Sequence, residues 1–178
     1  MMLTDLSTLA KAFIDICLLR KGPQDLPNSS VLLTLCLIFY TLLDVLLTVQ
    51  TRPFTDALLV SLVDVGFLLL VTALILKQHR HIERLGQTMT ALFGSGVILG
   101  ILIFPLVYGG VQNQHESWIQ QIVILLFLVM VIWNVAVLAH IVRHSISTSM
   151  GIGIIIAILY IWMSSLLISM IFPEISVK

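Results

Sequence analysis

The sequence predicts an all-α fold: a polytopic membrane helix bundle of five transmembrane helices with an N-terminal amphipathic interfacial helix. Three observations predict it. The composition is strongly apolar, five apolar runs are each long enough to cross a bilayer, and the basic residues gather in alternate connections. Of 178 residues 59% are hydrophobic and 10% charged, and the mean hydropathy is +1.11. Soluble domains are roughly a quarter charged. A small soluble fold leaves too much surface in water to hide this much apolar area, so the bilayer is the solvent that fits.

Residues 1–30 are predicted to form a cytoplasmic amphipathic helix and linker. Leu6, Leu9, Ala10, Phe13 and Cys17 recur at helical spacing, with Asp5, Lys11 and Asp15 off that stripe. This pattern fits a short helix lying on the inner membrane face. No basic stretch precedes an apolar core, so a cleavable signal peptide is not expected and the first span serves as the insertion signal. Gly22, Pro23 and Pro27 then break helix, and Asn28, Ser29 or Ser30 is positioned to cap the first span.

Residues 31–178 are predicted to form the transmembrane domain, with spans at about 31–50, 57–76, 88–108, 118–139 and 150–172. Each is near the ~20 residues that cross the hydrocarbon as helix. Helix is required because each span must satisfy its own backbone in lipid. The runs do not alternate as barrel strands do.

The connections carry the orientation. Lys11, Arg20, Lys21, Lys77, Arg80, Arg84 and Arg143 fall on one side, and Arg52 and Lys178 on the other. The positive-inside rule then places the N-terminus in the cytoplasm and the C-terminus on the outer side of the membrane. The formal net charge is zero, which offers nucleic acid no electrostatic footprint. The partners expected are the lipid bilayer and other membrane proteins or further copies of the chain. Cys17 and Cys36 form no CxxC or metal-ligand pattern, both fall on the reducing side, and no cofactor is implied.

Asp44 and Asp64 are the most informative residues. Each lies inside a span, where a carboxylate is costly and faces the bundle interior. Counting at about 1.5 Å per residue puts both roughly 9–12 Å below the outer helix ends, at one depth on neighbouring helices. Thr34, Thr41, Asp44 and Thr48 share a stripe of the first span; Ser61, Asp64 and Thr72 share one of the second. Such stripes serve either as polar packing glue or as the wall of a cation or proton path, where two nearby carboxyls perturb each other. The GxGD motif of intramembrane aspartyl proteases is absent before either Asp.

Other candidates are weaker. His140 and His144 at i, i+4 have a spacing that holds metals, but no HExxH accompanies them and no metal is assigned. A lipid-linked enzymatic site would have to combine His79, His81, His140, His144 and Glu83, and no catalytic residue is assigned. Gly96 and Gly100 form a small-xxx-small pair, and Gly153, Ala157, Tyr160 and Ser164 make a second small or polar stripe, both expected to pack helices. Pro105 is placed to kink its span. Asn134 is expected to hydrogen-bond a neighbouring helix. Tyr108, Trp118 and Trp162 are candidate interfacial anchors.

Five spans, a cytoplasmic N-terminus and a Gly/Pro segment before the first span resemble the Yip family of small membrane proteins. The stretch Leu19-Arg20-Lys21-Gly22-Pro23-Gln24-Asp25-Leu26-Pro27 is also similar to that of small proteobacterial inner-membrane proteins. Eukaryotic Yip proteins carry Asp-Leu-Tyr-Gly-Pro there, whereas Asp25-Leu26 is followed here by Pro27-Asn28-Ser29. No functional residue is carried over. The function expected is non-enzymatic scaffolding, assembly or regulation at the inner membrane. The alternative is a small cation- or proton-coupled transporter or channel subunit that uses Asp44 and Asp64.

Overall fold

A computed structural model describes residues 2–112 and 117–172. Lys178, counted above among the charges opposite the basic connections, lies outside the described residues. Helix α1 spans Met2–Cys17, α2 Ser30–Thr48, α3 Phe54–Gln78, α4 Leu85–Gln112, α5 Ser117–Ser145 and α6 Met150–Ile171, with 3₁₀ turns at Pro23–Asp25 and Ile82–Arg84. Helices α2 to α6 are long and apolar enough to cross a membrane. Several outrun the predicted spans, because hydropathy marks only the hydrocarbon stretch while the helical hydrogen bonds continue past it.

Local signals set the ends. Ser29 Oγ accepts from Leu32 N at 3.3 Å and starts α2; Ser149 Oγ does the same for Ile152 N at 3.4 Å in α6. Helices α1, α3 and α5 each close with a left-handed residue: Leu19 (φ 61), Arg80 (φ 60) and Ser147 (φ 54). The next amide in each case reaches back five residues: Arg20 to Asp15 O at 2.8 Å, His81 to Leu76 O at 2.8 Å, and Thr148 to Arg143 O at 2.9 Å. These bonds satisfy carbonyls the helix leaves open.

The five long helices close into a ring in the order α4, α2, α3, α6, α5 and back to α4, and α4 also touches α3. Small residues set the close approaches. A Cβ on Gly96 would lie 2.6 Å from the Tyr40 ring, and one on Gly100 would lie 2.5 Å from Leu43, so both glycines seat α2 against α4. A Cβ on Gly153 would meet the Ala139 carbonyl oxygen at 2.5 Å, which brings α6 onto the α5 backbone. Leu42, Leu62, Leu125, Ile155 and Trp162 are exposed and form part of the lipid-facing surface. Trp162 is therefore a lipid-facing residue within α6, while Tyr108 and Trp118 are exposed at the other end of the ring from the Lys21 and Arg84 segments.

The segment ahead of α2 is packed against the ring. The buried stripe of α1 is Ala12, Phe13, Ile16 and Cys17, and Ala10 is exposed. Phe13 packs against Gly94 of α4, where no side chain would fit. Three side chains of the ring then donate to carbonyls of the segment: Trp133 Nε1 to Cys17 O at 2.8 Å, His140 Nε2 to Lys21 O at 2.9 Å, and Gln87 Nε2 to Leu26 O at 2.8 Å. The physical reason is the accounting of backbone acceptors: the carbonyl at the end of α1 and those of the turns after it need donors, and α4 and α5 supply them. This end of the ring is called the basic end below, and its opposite the far end.

Candidate functional site

The ring encloses a hollow. A cavity of about 550 Å³ is walled by all five spans or their ends, from Leu92 and Ile141 toward the basic end to Arg52 and Phe172 at the far end. Two further hollows, of about 280 and 460 Å³, adjoin it through shared residues: Tyr40, Gly96 and Asn134 for the first, Arg52, Asp64 and Ile168 for the second. Asp44 lines both smaller hollows and Asp64 lines the largest. The main cavity falls within the ~300–1,000 Å³ usual for small-ligand pockets.

Asp64 is the hub. Ser164 Oγ donates to Asp64 Oδ1 at 2.6 Å, Tyr160 OH donates to Oδ1 at 3.2 Å, and Tyr40 OH donates to Oδ2 at 3.3 Å. Each donor is held by packing. Tyr160 stacks on Phe67 with centroids 5.7 Å apart, and Tyr40 tilts onto Phe93 at 5.2 Å in the space that Gly96 leaves open. Tyr160 and Ser164 lie four residues apart on one face of α6.

Asp44 and Asp64 share the wall of the 460 Å³ hollow, but they are not at one depth. Asp44 is four residues from the end of α2 and Asp64 ten from the start of α3, so Asp64 sits about two turns deeper than Asp44 by helical rise. The loop between α2 and α3 is not symmetric, and α3 begins earlier than its hydropathy suggests. Asp64 therefore meets Tyr40, one turn deeper on α2 than Asp44. Ser61 Oγ, three residues before Asp64 on α3, is buried and has no hydrogen-bond partner.

The supporting polar residues behave differently from one another. Thr41 Oγ1 turns back to Leu37 O at 2.9 Å and Thr34 Oγ1 to Ser30 O at 2.9 Å, so neither bridges helices. Thr34 is exposed. Thr48 lines the hollow beside Asp44. Asn134 faces two hollows and makes no side-chain hydrogen bond among the described residues, which corrects its expected role as a bridge to a neighbouring helix.

Sequence reasoning passed over Tyr40 and Arg52. Tyr40 lies one turn before Asp44, so the i, i+4 spacing was available as a signal. Arg52 counted only as a loop charge. In the structure it lines the 550 and 460 Å³ hollows, and one of its guanidinium nitrogens is buried without a hydrogen-bond partner. Among the described residues it forms no ion pair with either Asp. Two carboxylates and one guanidinium thus face shared space without touching.

At the basic end, His140 and His144 stand with ring centroids 4.6 Å apart. The first is committed to Lys21 O, and the second lies against Gln24 and Arg143. No cluster of three candidate metal ligands occurs among the described residues. His81 pairs instead with Glu83 at 3.5 Å.

The fold and hollow define a five-span membrane-protein architecture with an internal polar site. Compared with protein-family models, curated proteins and solved structures, the chain matches none.

Proposed function

We propose that this chain is a small transporter or channel subunit whose polar hollow receives a cation or proton at Asp64 and Asp44. The observation that carries the reading is the 550 Å³ cavity with Asp64 on its wall, held by three hydroxyl donors and faced by an unpaired Arg52. An ionisable residue inside a membrane is a functional candidate by default. In the adjoining 460 Å³ hollow two carboxyl groups, Asp44 and Asp64, face the single guanidinium of Arg52, an acidic surplus that suits a cationic guest. The hollow is large enough for a cation with part of its hydration shell, since water takes about 30 Å³ per molecule. The N-terminal segment lies under the basic end: Cys17 Sγ reaches Ser95 O at 3.9 Å, and Ser95 lines the cavity.

The test is flux in liposomes carrying the purified chain, with a pH-sensitive dye inside and a potassium gradient imposed. Wild type should give ion or proton flux, and Asp64→Asn and Asp44→Asn should abolish it without loss of folded protein. Flux in wild type that survives both substitutions, or no flux at all, would overturn the reading.

One observation favours the scaffolding alternative. The hydroxyls on Asp64 join α2, α3 and α6, so the same hub also serves as helix glue. That role is favoured if Asp64→Asn lowers thermal stability, wild type shows no flux, and affinity capture in mild detergent returns a reproducible membrane-protein partner.

A further inference from the structure

A second polar pocket lies at the basic end, outside the hollow. It has a volume of about 660 Å³ and is lined by Gln24, Arg84, Arg143, His144, Ser147 and Thr148. Three parts of the chain build it: the 3₁₀ turn at Pro23–Asp25, the 3₁₀ turn that leads into α4, and the end of α5 with its connection to α6. The Nε of Arg143 is buried and has no hydrogen-bond partner, while one terminal nitrogen of the same guanidinium donates to His144 Nε2 at 3.3 Å. Arg84 reaches across with long bonds, 3.4 Å to Ser145 O and 3.3 Å to Ser147 Oγ. A buried guanidinium N–H without an acceptor is costly. Two arginines with hydroxyls between them match the tetrahedral oxygens of a phosphate.

The acidic groups nearby do not fill this role. Asp25 lies within electrostatic range of His144, but its carboxylate accepts from Gly22 N at 2.8 Å within its own turn. Glu83 is largely exposed and pairs with His81. The pocket also sits where α6 begins, so the positive end of a 22-residue helix adds to the arginines.

We infer that this pocket binds the phosphate of an anionic phospholipid headgroup. A lipid is favoured over a soluble phosphate by position. The pocket lies at the ends of three membrane-crossing helices, and Ile152 and Ile155 in the first two turns of α6 are exposed to receive an acyl chain. Basic pockets between spans on the side that carries Lys and Arg suit anionic headgroups.

The experiment measures binding of three probes to the detergent-purified full chain by calorimetry: dihexanoyl-phosphatidylglycerol, dihexanoylglycerol without phosphate, and inorganic phosphate. The phospholipid should bind saturably, and the other two much more weakly. Arg143→Gln and Arg84→Gln should each weaken it about tenfold, as loss of a charge-assisted bond implies. Arg80→Gln, at the same end but outside the pocket, should leave it unchanged. Arg84→Gln keeps the test informative should Arg143→Gln fail to fold, because the bonds of Arg84 are long. Equal, arginine-dependent binding of inorganic phosphate would overturn the lipid assignment in favour of a soluble phosphate. Absence of phospholipid binding, or an equal loss with Arg80→Gln, would overturn the site.

Discussion

A carboxylate inside a membrane is tolerable only where hydrogen bonds replace its water, and Asp64 shows how few residues suffice. Ser164 supplies the shortest bond, at 2.6 Å. Ser164→Ala should remove one donor and destabilise the protein by roughly 1–3 kcal/mol, the usual cost of leaving a buried polar group without its partner; thermal unfolding in detergent reads it. The glycines divide in the same measurement. Gly153→Ala would drive a methyl onto the backbone oxygen of Ala139 and should cost about 1–3 kcal/mol as overpacking. Gly66→Ala meets nothing within 4 Å and should stabilise α3 by up to about 1 kcal/mol, through helix propensity alone.

At the scale of elements, the N-terminal segment is the part whose placement bears most on function. Its carbonyls are held by Trp133, His140 and Gln87, and its thiol is sealed inside. Burial pushes the Cys17 thiol up from 9.0 to about 11. The thiolate is the reactive form, so a rise of this size lowers its fraction about 100-fold at pH 8, and reactivity should climb as pH rises toward 11. In a Cys36→Ser background, maleimide should label Cys17 slowly at pH 8. Trp133→Phe removes the donor to Cys17 O and should speed labelling if the segment detaches; an unchanged rate would mean that packing of Phe13 and Ile16 alone holds it.

For the whole molecule, the ring decides what the polar stripes become. A solid bundle would bury Asp64 in a seam, whereas a ring of five helices leaves the centre hollow and turns the same residues into a wall. Orientation belongs to this scale too. Single cysteines introduced at Arg80 and at Thr51, in a chain lacking Cys17 and Cys36, should be labelled by an impermeant reagent from opposite faces of the membrane, Thr51 from outside. Labelling of Arg80 from outside would reverse the orientation expected from the basic connections.

What the sequence by itself determined is the all-helical membrane class, the five spans and their approximate limits, a cap for the first span among Asn28, Ser29 and Ser30, and the presence of two carboxylates within the spans. These follow from hydropathy, composition and local hydrogen bonding, which act over a few residues. The order of helices around the ring, the docking of residues 1–30 and the pairing of Asp64 with Tyr40, Tyr160 and Ser164 came only with tertiary structure. Tyr40 and Tyr160 are separated from Asp64 by 24 and 96 positions, and no periodicity along one helix encodes which face of another it meets. Arg52 is the clearest case: the chain shows a lone basic residue in a short loop, and only the closing of five helices around it turns that loop charge inward. The physical reason is that local rules specify where a helix starts, stops and enters lipid, whereas side chains such as Phe13, Tyr40 and Leu43 find their partners only where Gly94, Gly96 and Gly100 leave room between packed helices.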